Sequence, residues 1–414
     1  MGLILNRWGM SPALVNVTSW TKVIFSYGGN IFVRLLRMLI IPLVFASIFM
    51  SIVRLGNLKE LKRIGSSTVV YYLVTTALAV LVGIVLVNAI HPGLGIDADA
   101  LKQLNIKTDV PESVIAQNVG EKSALIIIID TLVSMIPKNP VDAMARGDVL
   151  QVIFFAIFMA VVASALGKKV APLVQFIESI DHIMTQAILI VMKIAPICIF
   201  LLVTRIMMDL GFDVLAALGK YAMTVLLGLL IHACITLPVL VLIFGRYNPI
   251  RLFKSVLPAI LTAWSTASST ATLPITMECT EKRAGVDRKI GSFVLPLGAT
   301  VNMDGTALYE SVAVIFIAEL LGIPLSFGLQ MIIFITATLA AIGAAAIPGA
   351  GLVTMGIVLT AVGLPLEGIG LILAIDRILD QFRTAVNVWG DTTAAVVVGR
   401  IENAIDLDNG MLES

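Results

Sequence analysis

Ten long apolar stretches separated by short charged loops commit this chain to crossing a membrane repeatedly. They run approximately over 31–53, 67–91, 124–136, 149–167, 185–204, 221–245, 255–275, 292–318, 329–362 and 370–398. A spanning helix needs roughly 20 apolar residues, and a helix satisfies its own backbone in hydrocarbon. Hydrophobic residues make up 58% of the chain and charged ones only 13%, a balance foreign to soluble domains. The expected class is an all-α polytopic membrane protein. A net charge of +1 leaves no basic surface for nucleic acid. Cys198, Cys234 and Cys279, and His91, His182 and His232, are scattered without metal or disulfide spacing, and each histidine is expected to be structural. Met1–Leu5 is too short an apolar run for a cleavable signal peptide.

Loop charges orient the spans. Arg54, Lys59, Lys62 and Arg63 stand against Glu60 alone, and Lys168–Lys169, Arg246–Lys254 and Lys282–Lys289 are also basic. The 92–121 loop instead carries Asp97, Asp99, Asp109, Glu112 and Glu121 against Lys102 and Lys107. Basic loops stay cytoplasmic, so the 92–121 loop is expected outside. The 124–136 stretch is too short to span alone, and 149–167 makes the return crossing.

Two stretches depart from simple spans. Ala340–Gly351 is built of small residues with Pro348 and three glycines, a poor continuous helix. No Lys or Arg occurs from Ile290 to Asp376, so a re-entrant hairpin over 329–364, entered from outside, accounts for this region. Ser265–Pro274 likewise interrupts an apolar run between basic loops, which predicts a second hairpin over 251–281. Irregular backbone at membrane depth must be buried in protein or line a watery cavity, so two opposed tips imply a site between them.

Gly298–Thr306 breaks the 292–318 span, because Asn302, Asp304 and Gly305 are poor helix-interior residues. A break frees carbonyls, and Asn302 and Asp304 add the hard oxygen ligands a small cation accepts. A kink with a self-bonded Asp is the plainer alternative. Ser268, Ser269 and Thr270 at the first tip offer hydroxyls and backbone N–H groups to a carboxylate, or satisfy the tip itself. Thr75 and Thr76 with Tyr72 make a polar patch that back-bonding within the helix would equally explain.

The most expensive feature lies in the last span. Asp376, Asp380, Arg383, Asn387 and Asp391 are spaced 4, 3, 4 and 4, which places them within an arc of roughly 80°, and Thr384 widens it by about 20°. A charge at the bilayer centre costs about 2.5–3.5 kcal/mol on the lenient insertion scale, so these groups need partners. Arg383 presents a planar fork to a carboxylate, Asp380 one turn earlier can hold an ammonium, and Asn387 and Asp391 offer oxygens. The pattern suits a zwitterion with an extra acid. Structural ion pairs are the alternative, and no role beyond a salt bridge or hydrogen bond is assigned to Asp376. Glu310, a lone acid in an apolar span, is either a proton carrier or a neutral hydrogen-bonded acid.

Four motifs in order carry a resemblance: the Ser-rich tip before Thr272-Leu273-Pro274, Asn302-Met303-Asp304-Gly305-Thr306, Ile347-Pro348-Gly349-Ala350-Gly351, and Asp380…Arg383-Thr384…Asn387…Gly390-Asp391. From about Gly28 to Glu402 the chain resembles the glutamate/aspartate transporter family of dicarboxylate/amino acid:cation symporters. The resemblance implies about eight transmembrane helices, the first of them truncated here to Met1–Gly9, plus two re-entrant hairpins. It implies a homotrimer in the plasma (inner) membrane whose protomers have scaffold and elevator-type transport domains. Scaffold spans would occupy 1–66 and 122–211, and the transport domain 67–91 and 212–405. Residues 92–121 would be an extracellular loop and 406–414 a cytoplasmic tail. Aspartate or glutamate would sit between the tips, held by Ser268, Ser269, Thr306, Asp380, Arg383, Thr384 and Asn387. Sodium ions would be the coupled ligands, with no cofactor. One site would use Gly298, Asn302, Asn387 and Asp391; a second Tyr72, Thr75, Thr76, Asn302 and Asp304; a third Thr300, Met303 and the carbonyls of Ala341, Ile342 and Ala344. The 329–364 hairpin would be the gate.

Some positions depart from relatives. Ala267 and Gln381 stand where many relatives carry an additional arginine, which weighs against potassium counter-transport. Glu310 matches the proton-carrying position of the animal glutamate transporters. Ala341 and Ala344 replace hydroxyl residues, a mild change if carbonyls are the ligands, and Asp391 favours sodium over purely proton coupling. The chain is expected to be a carrier and not an enzyme. A C4-dicarboxylate or neutral amino acid symporter of the same fold is the nearest alternative. An intramembrane aspartyl protease using Asp304 and Asp391 would leave Arg383, Asn302 and both hairpins without a job.

Overall fold

A computed structural model describes residues 27, 31, 34–35, 38–53, 62–94, 129, 133–210, 213–342 and 350–405. Among them the chain is helical, with one isolated bridge between Val286 and Ile405. In order the helices are α1 (Met38–Val53), α2 (Lys62–Ile90), α3 (Pro140–Arg146), α4 (Val149–Leu166), α5 (Ala171–Leu210), α6 (Asp213–Ile231), α7 (Pro249–Thr266), α8 (Ser269–Lys282), α9 (Arg288–Val301), α10 (Asp304–Leu320), α11 (Phe327–Ile342), α12 (Ala350–Ala361) and α13 (Ile369–Ile401). Among the described residues four helical segments are long and apolar enough to cross a membrane: Arg63–Ile90, Val149–Val191, Ala216–Gly245 and Arg288–Leu320. Large apolar side chains stand exposed along α5 and α6, among them Phe176, Ile190, Ile197, Phe200, Met223 and Leu230. A bilayer covers such faces, whereas water would not.

α10 lies at the centre. Of its residues only Glu319 is not buried. α2, α6, α11, α12 and α13 surround it. α7, α8 and α9 form a second layer against α13, with their own apolar core that includes Leu252, Val256, Val294 and Val396. A smaller cluster joins α1, α4 and α5 through Phe49, Met50, Ala160 and Ile177.

α7 and α8 make an antiparallel helical hairpin. At its base Ser255 Oγ donates to the Arg283 carbonyl (3.3 Å), and at its tip Thr266 and Thr272 hydroxyls meet at 3.4 Å. Asn248 starts α7 by accepting from the N–H groups of Ile250 and Arg251, and Pro249 follows at the position where its missing N–H costs nothing. The tip is narrower than the sequence predicts: Ser265 and Thr266 remain in α7, and Pro274 lies inside α8. Only Ala267, in the left-handed region at φ 50°, and Ser268, the N-cap of α8, are non-helical. α11 and α12 pack together as a second helical pair; its tip, with the predicted ligand Ala344, lies outside the described residues, as do most of the 92–121 loop, the 406–414 tail and the N-terminal segment.

The expected break in the 292–318 span is confined to two residues. Asn302 (φ −98°, ψ 81°) and Met303 (φ −108°, ψ 53°) leave the helix between α9 and α10. Asp304 then opens α10, where a carboxylate meets the positive end of the helix dipole.

Candidate functional site

α13 turns its polar stripe inward. Asp376, Asp380, Arg383, Thr384, Asn387 and Asp391 are all buried, Arg383 completely. Along the stripe the surroundings change from charged to neutral.

At the Asp376 end Arg383 is the hub. Its Nη2 donates to Asp380 Oδ1 at 2.7 Å, and Nη1 lies 3.1 Å from Asp376 Oδ1 without hydrogen-bond alignment. The guanidinium sits 3.8 Å above the centre of the Tyr309 ring, a cation–π contact. The Tyr309 hydroxyl donates to Asp376 Oδ1 at 2.7 Å. Asp376 thus ties the arginine to its aromatic platform. Among the described residues Nε and Nη1 of Arg383 have no hydrogen-bond partner, so the fork retains donors for another acceptor. A Cβ on Gly351, at the start of α12, would lie 3.0 Å from Arg383 Nη1 and 3.3 Å from Thr306 Cγ2, which sets the second helical pair directly over this end. The Thr384 hydroxyl donates to the carbonyl of Asp380 in its own helix at 2.8 Å.

Asn387 joins α13 to the break. Its Oδ1 accepts from the Gly305 N–H at 2.7 Å, and its Nδ2 lies 3.3 Å from both Thr306 Oγ1 and Met303 Sδ. Farther along, Asn302 Nδ2 donates to Asp391 Oδ1 at 3.0 Å while Asn302 Oδ1 accepts from Thr75 at 3.2 Å. Asp304 Oδ1 accepts from Thr76 at 2.7 Å, and Thr75 Oγ1, whose one hydrogen also has Asn302 Oδ1 and the Tyr72 carbonyl within reach, lies 3.3 Å away. Close backbone approach makes this possible: a Cβ on Gly390 would stand 3.0 Å from Asn302 Nδ2 and 3.1 Å from Asp304 Oδ2. A Cβ on Gly298 would collide with the Asp391 carboxylate and come within 2.5 Å of the Tyr72 hydroxyl, which donates to the Val294 carbonyl. Thr300 donates to the Leu297 carbonyl at 3.0 Å. Ala341 and Ile342 end α11, which touches α9.

The first tip is largely occupied with itself. Ser268 Oγ accepts from the Ala271 N–H, and the Ser268 carbonyl accepts from Thr272 at 2.8 Å. Ser269 is buried in the first turn of α8, which packs on α13. Glu310 is fully buried; Thr354 of α12 donates to its Oε1, and among the described residues Oε2 has no hydrogen-bond partner. Sequence reasoning passed over three participants. Tyr309 and Thr354 carried no charge to flag them, although Tyr309 lies three residues beyond Thr306 on the same face. His232, expected to be merely structural, has Nε2 3.2 Å from Asp304 Oδ2.

Among the described residues the buried side chains of this region thus include five carboxylic acids, Asp304, Glu310, Asp376, Asp380 and Asp391, against one guanidinium. The model of the sodium:dicarboxylate symporter family matches residues 4–401. The chain belongs to this family. Relatives include an excitatory amino acid transporter of Caenorhabditis elegans, 38% identical over 98% of this chain and 86% of its own length. Human excitatory amino acid transporter 2 is 36% identical over 91% and 73%, and mouse excitatory amino acid transporter 3 is 39% identical over 92% and 80%. A transporter family and several helices able to span a bilayer make the protein a multi-pass membrane protein.

Proposed function

We propose that the protein is a secondary active symporter that imports aspartate, glutamate or both, coupled to sodium, by elevator-type alternating access. The buried charge imbalance carries this reading. Five buried acids around one buried arginine, with the mostly exposed Arg377 reaching Asp380 only at 3.9 Å, cannot all be ionised at low dielectric without added positive charge. Sodium ions and the ammonium group of a substrate supply it.

Arg383 reads the substrate's side-chain carboxylate with the donors that Asp376 and Asp380 leave unused, and Asp380 takes the ammonium. Thr306, Asn387, Thr384 and the Ser268–Ser269 tip complete the pocket. Sodium occupies the Asp391–Asn302–Asn387–Gly298 cluster and the Asp304–Thr75–Thr76–Asn302–Tyr72 cluster. A third ion uses Thr300, Met303 and the carbonyls of Ala341, Ile342 and Ala344. Asn302 bonds both to Asp391 and to Thr75, and Asn387 contacts the break at Gly305 and Thr306. Ion and substrate therefore share side chains and bind cooperatively. Glu310, hydrogen-bonded to the second helical pair through Thr354, is the group that would carry a proton. The α11–α12 pair is the gate, 67–91 with 212–405 the moving domain, and 1–66 with 122–211 the scaffold of a homotrimer in the plasma (inner) membrane.

Uptake of labelled aspartate and glutamate into proteoliposomes, with sodium, pH and internal potassium varied separately, tests the proposal. Sodium-driven accumulation is expected; uptake indifferent to a sodium gradient refutes it. Competition by succinate and by serine separates the acidic amino acid from a C4-dicarboxylate or neutral amino acid, since Asp380 needs an amine and Arg383 an acid.

A further inference from the structure

We infer that His232 is a positioning residue for the Asp304 carboxylate and thereby sets the affinity of the sodium cluster built on α2 and α10; the inference rests on the sodium coupling proposed above. His232 and Asp304 are both fully buried, with His232 Nε2 3.2 Å from Asp304 Oδ2. With a cation bound, the Asp304 carboxylate is ionised and only accepts, so the imidazole donates from Nε2. Among the described residues its Nδ1 has no hydrogen-bond partner. The ring's one hydrogen bond among them is therefore the one to Asp304.

The local backbone is shaped around this contact. Where α6 continues past Ile231, residues His232–Thr236 form a π-turn in which the Leu237 N–H bonds to the His232 carbonyl, five residues back. Such single-turn bulges recur at functional sites. In the same register the next donor, to the Ala233 carbonyl, would be residue 238, a proline without an N–H. That carbonyl instead accepts from the Trp389 indole of α13 at 3.0 Å. The widened turn is thus held open by a bond to the helix that carries Asp391.

Asp304 needs such support. It follows the two-residue break, and the torsion that rotates a carboxylate is intrinsically broad. Thr76 of α2 holds Oδ1 at 2.7 Å, and His232, in the π-turn beyond α6, holds Oδ2. Two donors on two helices fix the carboxylate plane, and with it the direction in which Oδ1 is offered to a cation. Partners of this kind behind a cation's ligands are typically worth about 10–100-fold in affinity.

The test uses purified full-length protein, with choline replacing sodium at constant ionic strength. Sodium-dependent thermal stabilisation and the sodium midpoint of aspartate uptake are measured for wild type, His232→Phe and His232→Gln. Phe keeps a ring without a donor, and Gln keeps a donor without the ring. His232→Phe is expected to raise the sodium midpoint about 10-fold or more, while His232→Gln stays within about threefold of wild type. Aspartate KM at saturating sodium is expected to be unchanged in both. If Phe does not fold, His232→Asn, one methylene shorter than Gln, supplies the variant that cannot reach Asp304. An unshifted midpoint in the donor-less variant overturns the inference. So does a His232→Gln shift as large as that of Phe, because ring volume would then be what matters. Wild type without sodium-specific stabilisation refutes sodium coupling itself, and the inference with it.

Discussion

The two ends of the α13 stripe solve the same problem in opposite ways. Around Asp376 and Asp380 the positive charge is built in: Arg383 lies between both acids and over the Tyr309 ring. Around Asp304 and Asp391 the direct contacts are hydroxyls, an amide and an imidazole. Hydroxyls and amides solvate a carboxylate without cancelling its charge. The first end carries a buried cation of its own. The second stays electrically incomplete until a cation arrives. In the function proposed above, substrate reading and ion reading differ in whether the protein supplies its own counter-charge.

The largest test of that contrast is Arg383→Ala. It removes the buried guanidinium from between Asp376 and Asp380, and breaking a buried pair costs roughly 3–5 kcal/mol. Aspartate uptake should fall by two orders of magnitude or more, and neutral amino acids should compete better. Undiminished aspartate affinity would dissolve the distinction between the ends. Asp391→Asn acts at the other end. Its sodium midpoint should rise about 10-fold or more, in line with 1.5–3 kcal/mol for a charged contact, and an identical sodium curve would remove Asp391 from the ion cluster. Gly390→Ala forces a methyl into contacts of 3.0 and 3.1 Å with Asn302 and Asp304. Overpacking of this kind costs about 1–3 kcal/mol, and it should weaken sodium stabilisation more than aspartate KM at saturating sodium. Tyr309→Phe is the mildest: it keeps the ring under Arg383 and loses one hydrogen bond to Asp376, worth roughly 1 kcal/mol. Aspartate affinity should drop severalfold with the sodium midpoint untouched. A larger sodium effect than aspartate effect in Tyr309→Phe would mean that the two ends are one site.

Much of this was legible in the chain. The apolar stretches announce a helical membrane protein, and the four ordered motifs announce the family. The helix break at Asn302 and the α7–α8 turn could be located because Asn, Asp, Gly and Ser compete with helical backbone. Their extents could not. Pro274 marks a loop by propensity yet sits inside α8, since tertiary packing on α9 and α13 outweighs one missing hydrogen bond. The Thr75 and Thr76 hydroxyls looked ready for simple back-bonding; Thr75 does reach the Tyr72 carbonyl at 3.1 Å, yet both also face Asp304.

The sequence by itself determined the class, the family and the polar face of α13, because periodicity and hydropathy are properties of one helix at a time. Only the tertiary structure decided the pairings: Asp376 with Tyr309, Glu310 with Thr354, His232 with Asp304. These partners lie between 44 and 72 residues apart, on helices whose relative rotation no local pattern encodes. A buried charge fixes that a partner must exist; the packing of helices fixes which one it is.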